Sequence, residues 1–163
     1  MNIYEFAMKM EMDGKKYYTE LMEKAENQGV KVLFNIMAQE EQSHYDILKS
    51  LEYKIDLGSE STVLDVAKNI FEMMFDTADQ VKTMLSEDAL VHALKLENDS
   101  IKFYKDQMIK TENALEKEVF EKLFREEKKH YFLVENLLDH ITGGLINGIN
   151  SAEFQYMDED HIK

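Results

Sequence analysis

Six residues have the types and spacing to hold metal: Glu11, Glu41, His44, Glu97, Glu127 and His130. Glu41 and His44 are three positions apart, as are Glu127 and His130. On a helix that spacing puts a carboxylate and an imidazole on one face. One such pair is weak evidence, because Glu and His at helical spacing ordinarily form an exposed surface pair. Two pairs at equivalent points of a repeat, each with a further Glu on the preceding helix, are much harder to produce by chance.

Four carboxylates buried together would repel one another and lose hydration, at several kcal/mol per unpaired charge. Two divalent cations balance the four negative charges, and two neutral imidazoles complete the ligand shells. Mixed oxygen and nitrogen ligands suit iron or manganese, and zinc less specifically. With 0 Cys in the chain, thiolate zinc sites, iron–sulfur clusters, disulfides and a cysteine nucleophile are excluded.

These residues must be carried on helices. The chain has 0 Pro and 6 Gly among 163 residues, too few turn formers for a sandwich or barrel. Apolar periodicity predicts four long helices. The first runs roughly from Ile3 to Glu26, with a break at Asn27–Gly29. The second runs from about Val30 to Leu51. The third opens at Ser86, an N-cap followed by Glu87 and Asp88 in the first turn, and ends near Thr111. The fourth covers roughly Leu115 to Ile141 and stops at Gly143-Gly144.

The chain also repeats. A shift of 86 residues lays AMKMEMDGKKYY, Ala7 to Tyr18, on ALKLENDSIKFY, Ala93 to Tyr104, and EEQSHY, Glu40 to Tyr45, on EEKKHY, Glu126 to Tyr131. One helical hairpin therefore occurs twice, and neither copy can bury its apolar face alone. At about 1.5 Å of rise per residue, Glu11, Glu41 and His44 all lie roughly 20–25 Å from the turn of their hairpin. Glu97, Glu127 and His130 match them in the second copy, so all six can reach one layer of the core. The expected fold is all-α: a four-helix bundle of two repeated hairpins over residues 1–142, joined by a long crossover connection at about 52–85. That connection is expected to include a helix over Val63 to Phe75. A tail over 143–163 follows.

Tyr18 and Tyr104 follow Glu11 and Glu97 by seven residues, nearly on the same stripe. They are either core fillers or hydrogen-bond donors to a ligand carboxylate. Glu40 and Glu126 are turned about 100° from the neighbouring ligands and are expected to be solvated. Met8, Met10, Met22 and Met37 sit at core spacing and read as core filling rather than haem ligands. His92, His140 and His161 have no repeat partners and read as surface or packing residues.

The formal net charge is -14, so no nucleic acid and no anionic membrane is expected as a partner. The N-terminal stretch carries acidic residues and does not read as a signal peptide. No run approaches the length of a membrane span. A cytoplasmic protein is expected.

Taken together, Glu11-x-x-Gly14-x-x-x-Tyr18, Glu41-x-x-His44, Glu97-x-x-Ser100-x-x-x-Tyr104 and Glu127-x-x-His130 resemble the rubrerythrin and ferritin-like superfamily. The layout is similar over roughly residues 3 to 142, and is closest to short proteins made of the di-iron domain alone. The segment Ala152 to Asp160 also resembles tails of such relatives. The resemblance implies a ferritin-like bundle whose two irons are bridged by Glu41 and Glu127. Glu11 and Glu97 would be terminal carboxylates, and His44 and His130 terminal imidazoles. It implies reduction of peroxide, or of dioxygen, with electrons from a rubredoxin-type iron site. A cysteine-free chain holds no such module, so the donor is expected to be a separate rubredoxin-like protein.

Rubrerythrins also carry a seventh ligand, a second Glu three residues after the third-helix Glu, and here that position is Ser100. Gly14 occupies the matched place in the first hairpin. Small residues on both sides predict an open coordination position, or a water, on each. The alternatives are a ferritin-like iron-binding protein with ferroxidase activity, or a metal-stabilised interaction protein without catalysis. A homodimer is expected, and a long connector would permit hairpin exchange between two chains.

Overall fold

The computed structural model describes residues 2–52 and 86–143. Four helices account for nearly all of them: α1 (Ile3–Lys24), α2 (Gln28–Glu52), α3 (Glu87–Lys110) and α4 (Ala114–Thr142). The chain is an all-α four-helix bundle, and no strand occurs among the described residues. The expected Val63–Phe75 helix, His161 and the C-terminal tail lie outside them.

Local chemistry sets the helix ends. Asn2 caps α1 by accepting from the Glu5 amide, and Glu5 returns the bond to the Asn2 amide in a capping box. The Ser86 side chain accepts from the Ala89 amide, as its position before two acidic residues predicts. Gly143 ends α4 in the left-handed region, with φ 74°, where a glycine meets no side-chain penalty. The first break falls two residues earlier than expected, at Ala25–Asn27, and Gly29 lies inside α2. The reason is Asn27, whose Oδ1 accepts from the amides of Gly29, at 2.8 Å, and Val30, at 3.2 Å. This side-chain cap lets α2 start at Gln28.

α1 pairs with α2 and α3 pairs with α4, so each repeat is one antiparallel hairpin. The hairpins meet with α1 antiparallel to α3. Phe6 meets Phe103 with ring centroids 5.2 Å apart, while Tyr17 meets His92 at 4.9 Å and donates to the Ala89 carbonyl at 2.8 Å. At the first of these ends the Asn2 side chain donates to Glu52 Oε1 at 2.9 Å, and the Tyr4 hydroxyl donates to Glu116. Glu52 and Glu87 thus stand at opposite ends of the bundle, the arrangement that a crossover between two parallel helices requires.

Two apolar plugs fill the interior. One contains Leu21, Leu33, Phe34, Met37, Leu90, Leu133 and Leu137, and the other Ala7, Leu48, Leu51, Val119, Phe120 and Leu123. Met8, Met10 and Met22 pack against these plugs in part-buried positions. Burying each large side chain stabilises the fold by about 1.5–3 kcal/mol. All four helices contribute to both plugs, and the plugs seal the layer between them from either end. Among the described residues no helix is long and apolar enough to cross a membrane.

Candidate metal centre

The layer between the plugs is polar. Glu11, Glu41, His44, Glu97, Glu127 and His130 are all buried there, with exposures of 3% or less. Each helix supplies its share: Glu11 from α1, Glu41 and His44 from α2, Glu97 from α3, and Glu127 and His130 from α4. The ligand-type atoms form two overlapping groups. Glu11, Glu41, His44 and Glu127 make one, and Glu41, Glu97, Glu127 and His130 the other. Within each group these atoms lie within 4.8 Å of one another. Glu41 and Glu127 belong to both groups.

Both imidazoles turn Nδ1 toward the carboxylates. His44 Nδ1 is 2.8 Å from Glu127 Oε1, 3.1 Å from Glu11 Oε2 and 3.6 Å from Glu41 Oε2. His130 Nδ1 is 3.3 Å from Glu41 Oε1, 3.8 Å from Glu97 Oε2 and 3.9 Å from Glu127 Oε2. The rings stack on each other with centroids 5.6 Å apart. One ring nitrogen carries at most one proton, so it cannot satisfy three carboxylates. Glu97 Oε2, Glu127 Oε1 and His130 Nδ1 are left buried without an aligned hydrogen-bond partner. Unsatisfied buried groups of this kind cost about 1–3 kcal/mol each, and more when charged.

The electrostatics follow from that crowding. Burial, and then the charge of Glu11, pushes Glu41 above the usual carboxylate range. Burial, and then Glu127, pushes Glu97 well above it. Burial pulls both histidines down, but the surrounding carboxylates outweigh it. His44 is held well above its usual value by Glu11, Glu127 and Glu41, and His130 by Glu40, Glu41 and Glu97. Set only against one another, these groups take up protons to relieve their charge. A cation placed among them relieves the same charge without protons. The orphaned oxygens and nitrogen, and the hard-oxygen and imidazole donor set, therefore fit divalent metal.

The two tyrosines are both core fillers and donors. Tyr18 stacks on Phe34 with centroids 5.8 Å apart, and its repeat equivalent Tyr104 stacks on Phe120 at 6.2 Å. The Tyr18 hydroxyl donates to Glu97 and the Tyr104 hydroxyl to Glu11. Each bond runs from one hairpin to the glutamate of the other. Burial, and then the accepting glutamate, holds both phenols well above their usual range, so they stay protonated donors.

Two expectations are corrected here. Glu40 is not solvated: its Oε2 accepts from His130 Nε2 at 2.9 Å, across the hairpin boundary. That bond keeps a proton on Nε2 and leaves Nδ1 for the cluster. Glu126 is not solvated either, with an exposure of 6% and Lys129 Nζ 3.5 Å from its Oε1. A rotation of about 100° from the bundle axis leads to the seam with the neighbouring helix rather than to water. The doubled Glu at 40–41 and 126–127 was the available signal for both. Gly14 lies against a ligand-type carboxylate: a Cβ built there would lie 3.2 Å from Glu41 Cδ and 3.2 Å from its Oε1, so a larger residue would press on Glu41. His92 is exposed against Tyr17, as a packing residue should be.

The rubrerythrin family model matches residues 2–138. No curated protein and no solved structure matches the chain. With the repeated hairpins, the buried carboxylate–imidazole layer and a match over most of its length, the chain belongs to the rubrerythrin family.

Proposed function

We propose that the chain is a di-iron carboxylate oxidoreductase that reduces peroxide or dioxygen with electrons from a separate, rubredoxin-like donor. The observation that carries this reading is the pair of overlapping groups sharing Glu41 and Glu127. Two shared carboxylates with an imidazole and a further carboxylate on either side would serve two ions, with Glu41 and Glu127 available to both. Glu11 with His44 would complete one ion's shell, and Glu97 with His130 the other's. Manganese suits the same donors, and zinc suits them less specifically.

Held by these residues, two ferrous ions would supply two electrons to an O–O bond. The protein's own part is positional. The plugs close the layer along the bundle axis, and its burial strengthens every interaction inside it. Tyr18 and Tyr104 hold Glu97 and Glu11 by donating to them, and Glu40 holds the His130 ring. These contacts pre-set the ligand atoms so that little rearrangement accompanies binding.

A second reading is favoured by Ser100, which is buried in the layer where rubrerythrins carry a seventh ligand. A serine hydroxyl is too short to replace a glutamate as an anionic ligand. Slow ferroxidase and iron-handling activity is the consequence expected if that carboxylate is essential to peroxide turnover. Stopped-flow mixing of the ferrous protein with peroxide, and separately with dioxygen, distinguishes the two. Fast oxidation by peroxide supports the first reading. Slow oxidation by dioxygen with net iron uptake supports the second. A metal inert to both leaves a purely stabilising role and overturns both.

A further inference from the structure

A cavity of about 260 Å³ lies between α1 and α3 and reaches the metal-type cluster. Its walls are graded from outside to inside. Lys9, Asp13 and Asp99 are exposed, Gly14 is half-buried, and Ser100, Glu41 and Glu97 are buried. The helices are closed on each other by the Phe6–Phe103 contact toward one end and the Tyr17–His92 contact toward the other. Gly14 and Ser100 are repeat equivalents and lie between those contacts along their helices. At the inner end Glu97 is 2% exposed, and its Oε2 has no hydrogen-bond partner. A cleft that ends on an unsatisfied buried carboxylate connects solvent with the polar layer, which the plugs close off along the bundle axis.

We propose that this cleft is the route by which a small uncharged oxidant, of the size of hydrogen peroxide, reaches Glu41 and Glu97 from solvent, and that Gly14 and Ser100 set its width. The inference rests on the proposed oxidoreductase function and adds a path and a selectivity to it. Size is limited because both neck positions are on helices, whose backbones cannot move apart without breaking the flanking ring contacts. Charge is limited because Asp13 and Asp99 outnumber Lys9 at the outside. An anion approaching that field is repelled, whereas neutral peroxide is not.

The chain has 0 Cys, so the thiol introduced by Ser100→Cys, a near-isosteric change, reports on the neck with metal absent. Methyl methanethiosulfonate, small and neutral, should label it much faster than the anionic sulfonatoethyl reagent of the same chemistry, and faster still than bulky dithiobis(nitrobenzoate). The comparison is the thiol from Ala93→Cys, two helical turns away on α3 at a fully buried position, which should resist all three. Equal labelling of Ser100→Cys by all three reagents, or labelling by the small reagent no faster than for Ala93→Cys, overturns the route.

In ferrous-loaded protein, Ser100→Leu should slow oxidation by peroxide roughly tenfold by filling the neck, with iron stoichiometry unchanged. An unchanged rate at full loading overturns the route for the oxidant even if the thiol is accessible. If the unsubstituted protein binds no iron, the proposed function fails, and the labelling comparison still decides whether the cleft is open.

Discussion

The Tyr18 hydroxyl on α1 donates to the Glu97 carboxylate on α3, so a donor in one hairpin holds a candidate ligand in the other. Tyr104 does the reverse for Glu11. The two bonds tie the halves together at the polar layer. Tyr18→Phe keeps the stacking on Phe34 and removes only the hydroxyl. Loss of such a supporting bond typically lowers metal affinity about 10-fold to 100-fold. Calorimetric titration with manganese should show that loss for Tyr18→Phe and for Tyr104→Phe, with helix content unchanged. Unaltered affinity in both would reduce the tyrosines to core fillers.

Glu41 and Glu127 are the residues common to both ligand groups, so losing either should affect both ions. Metal analysis of Glu41→Ala and of Glu127→Ala should find most of the binding gone, and the double variant should bind none. Metal-free, each single variant should be no less stable than the parent, because it removes one of four crowded carboxylates. Melting curves with and without chelator test this second part independently. Full two-ion occupancy in the double variant would sink the site.

Glu40 reaches His130 from the opposite hairpin. Glu40→Leu should weaken metal binding about 10-fold to 100-fold, the usual effect of losing a carboxylate behind a ligating histidine. Glu40→Gln retains an accepting oxygen and should lose less. The two variants differ little in size, so a difference in manganese affinity between them isolates the hydrogen bond. Identical affinity for parent, Gln and Leu forms would show that His130 needs no such support.

The shifts of Glu41, Glu97, His44 and His130 share one sign: all four hold protons more tightly in the folded bundle than ordinary groups do. Their contribution to metal-free stability is therefore full below the unfolded values and is lost as pH rises through the folded ones. In chelator, the melting temperature should fall between about pH 5 and pH 8. Metal binding must release the same protons, so it should strengthen over that range. The gap between metal-loaded and chelated melting temperatures should widen as pH rises. A gap that is constant or shrinks with rising pH would contradict a buried carboxylate–imidazole site.

Much of the bundle is determined by residues acting over short range. Ser86 and Gly143 mark helix ends because capping is a matter of one or two turns. Glu41 and His44 share a face because the helical period is a property of the backbone. The repeat at 86 residues pairs Glu11 with Glu97 and sets matching depths, so the six-residue layer follows from counting along the chain. What only the tertiary structure decided lies between the hairpins. No periodicity says whether Tyr18 donates to its own hairpin's Glu11 or to Glu97; the antiparallel crossing of α1 and α3 selects Glu97. Glu40 and Glu126 read as outward-facing on an isolated helix, yet the neighbouring hairpin covers that flank and gives Glu40 a histidine. No spacing along the chain shows that the Glu41 carboxylate of the adjacent helix leans against Gly14. Sequence spacing fixes directions about one helix axis, whereas contacts across a seam depend on how two axes meet, and that is settled by packing both apolar plugs at once.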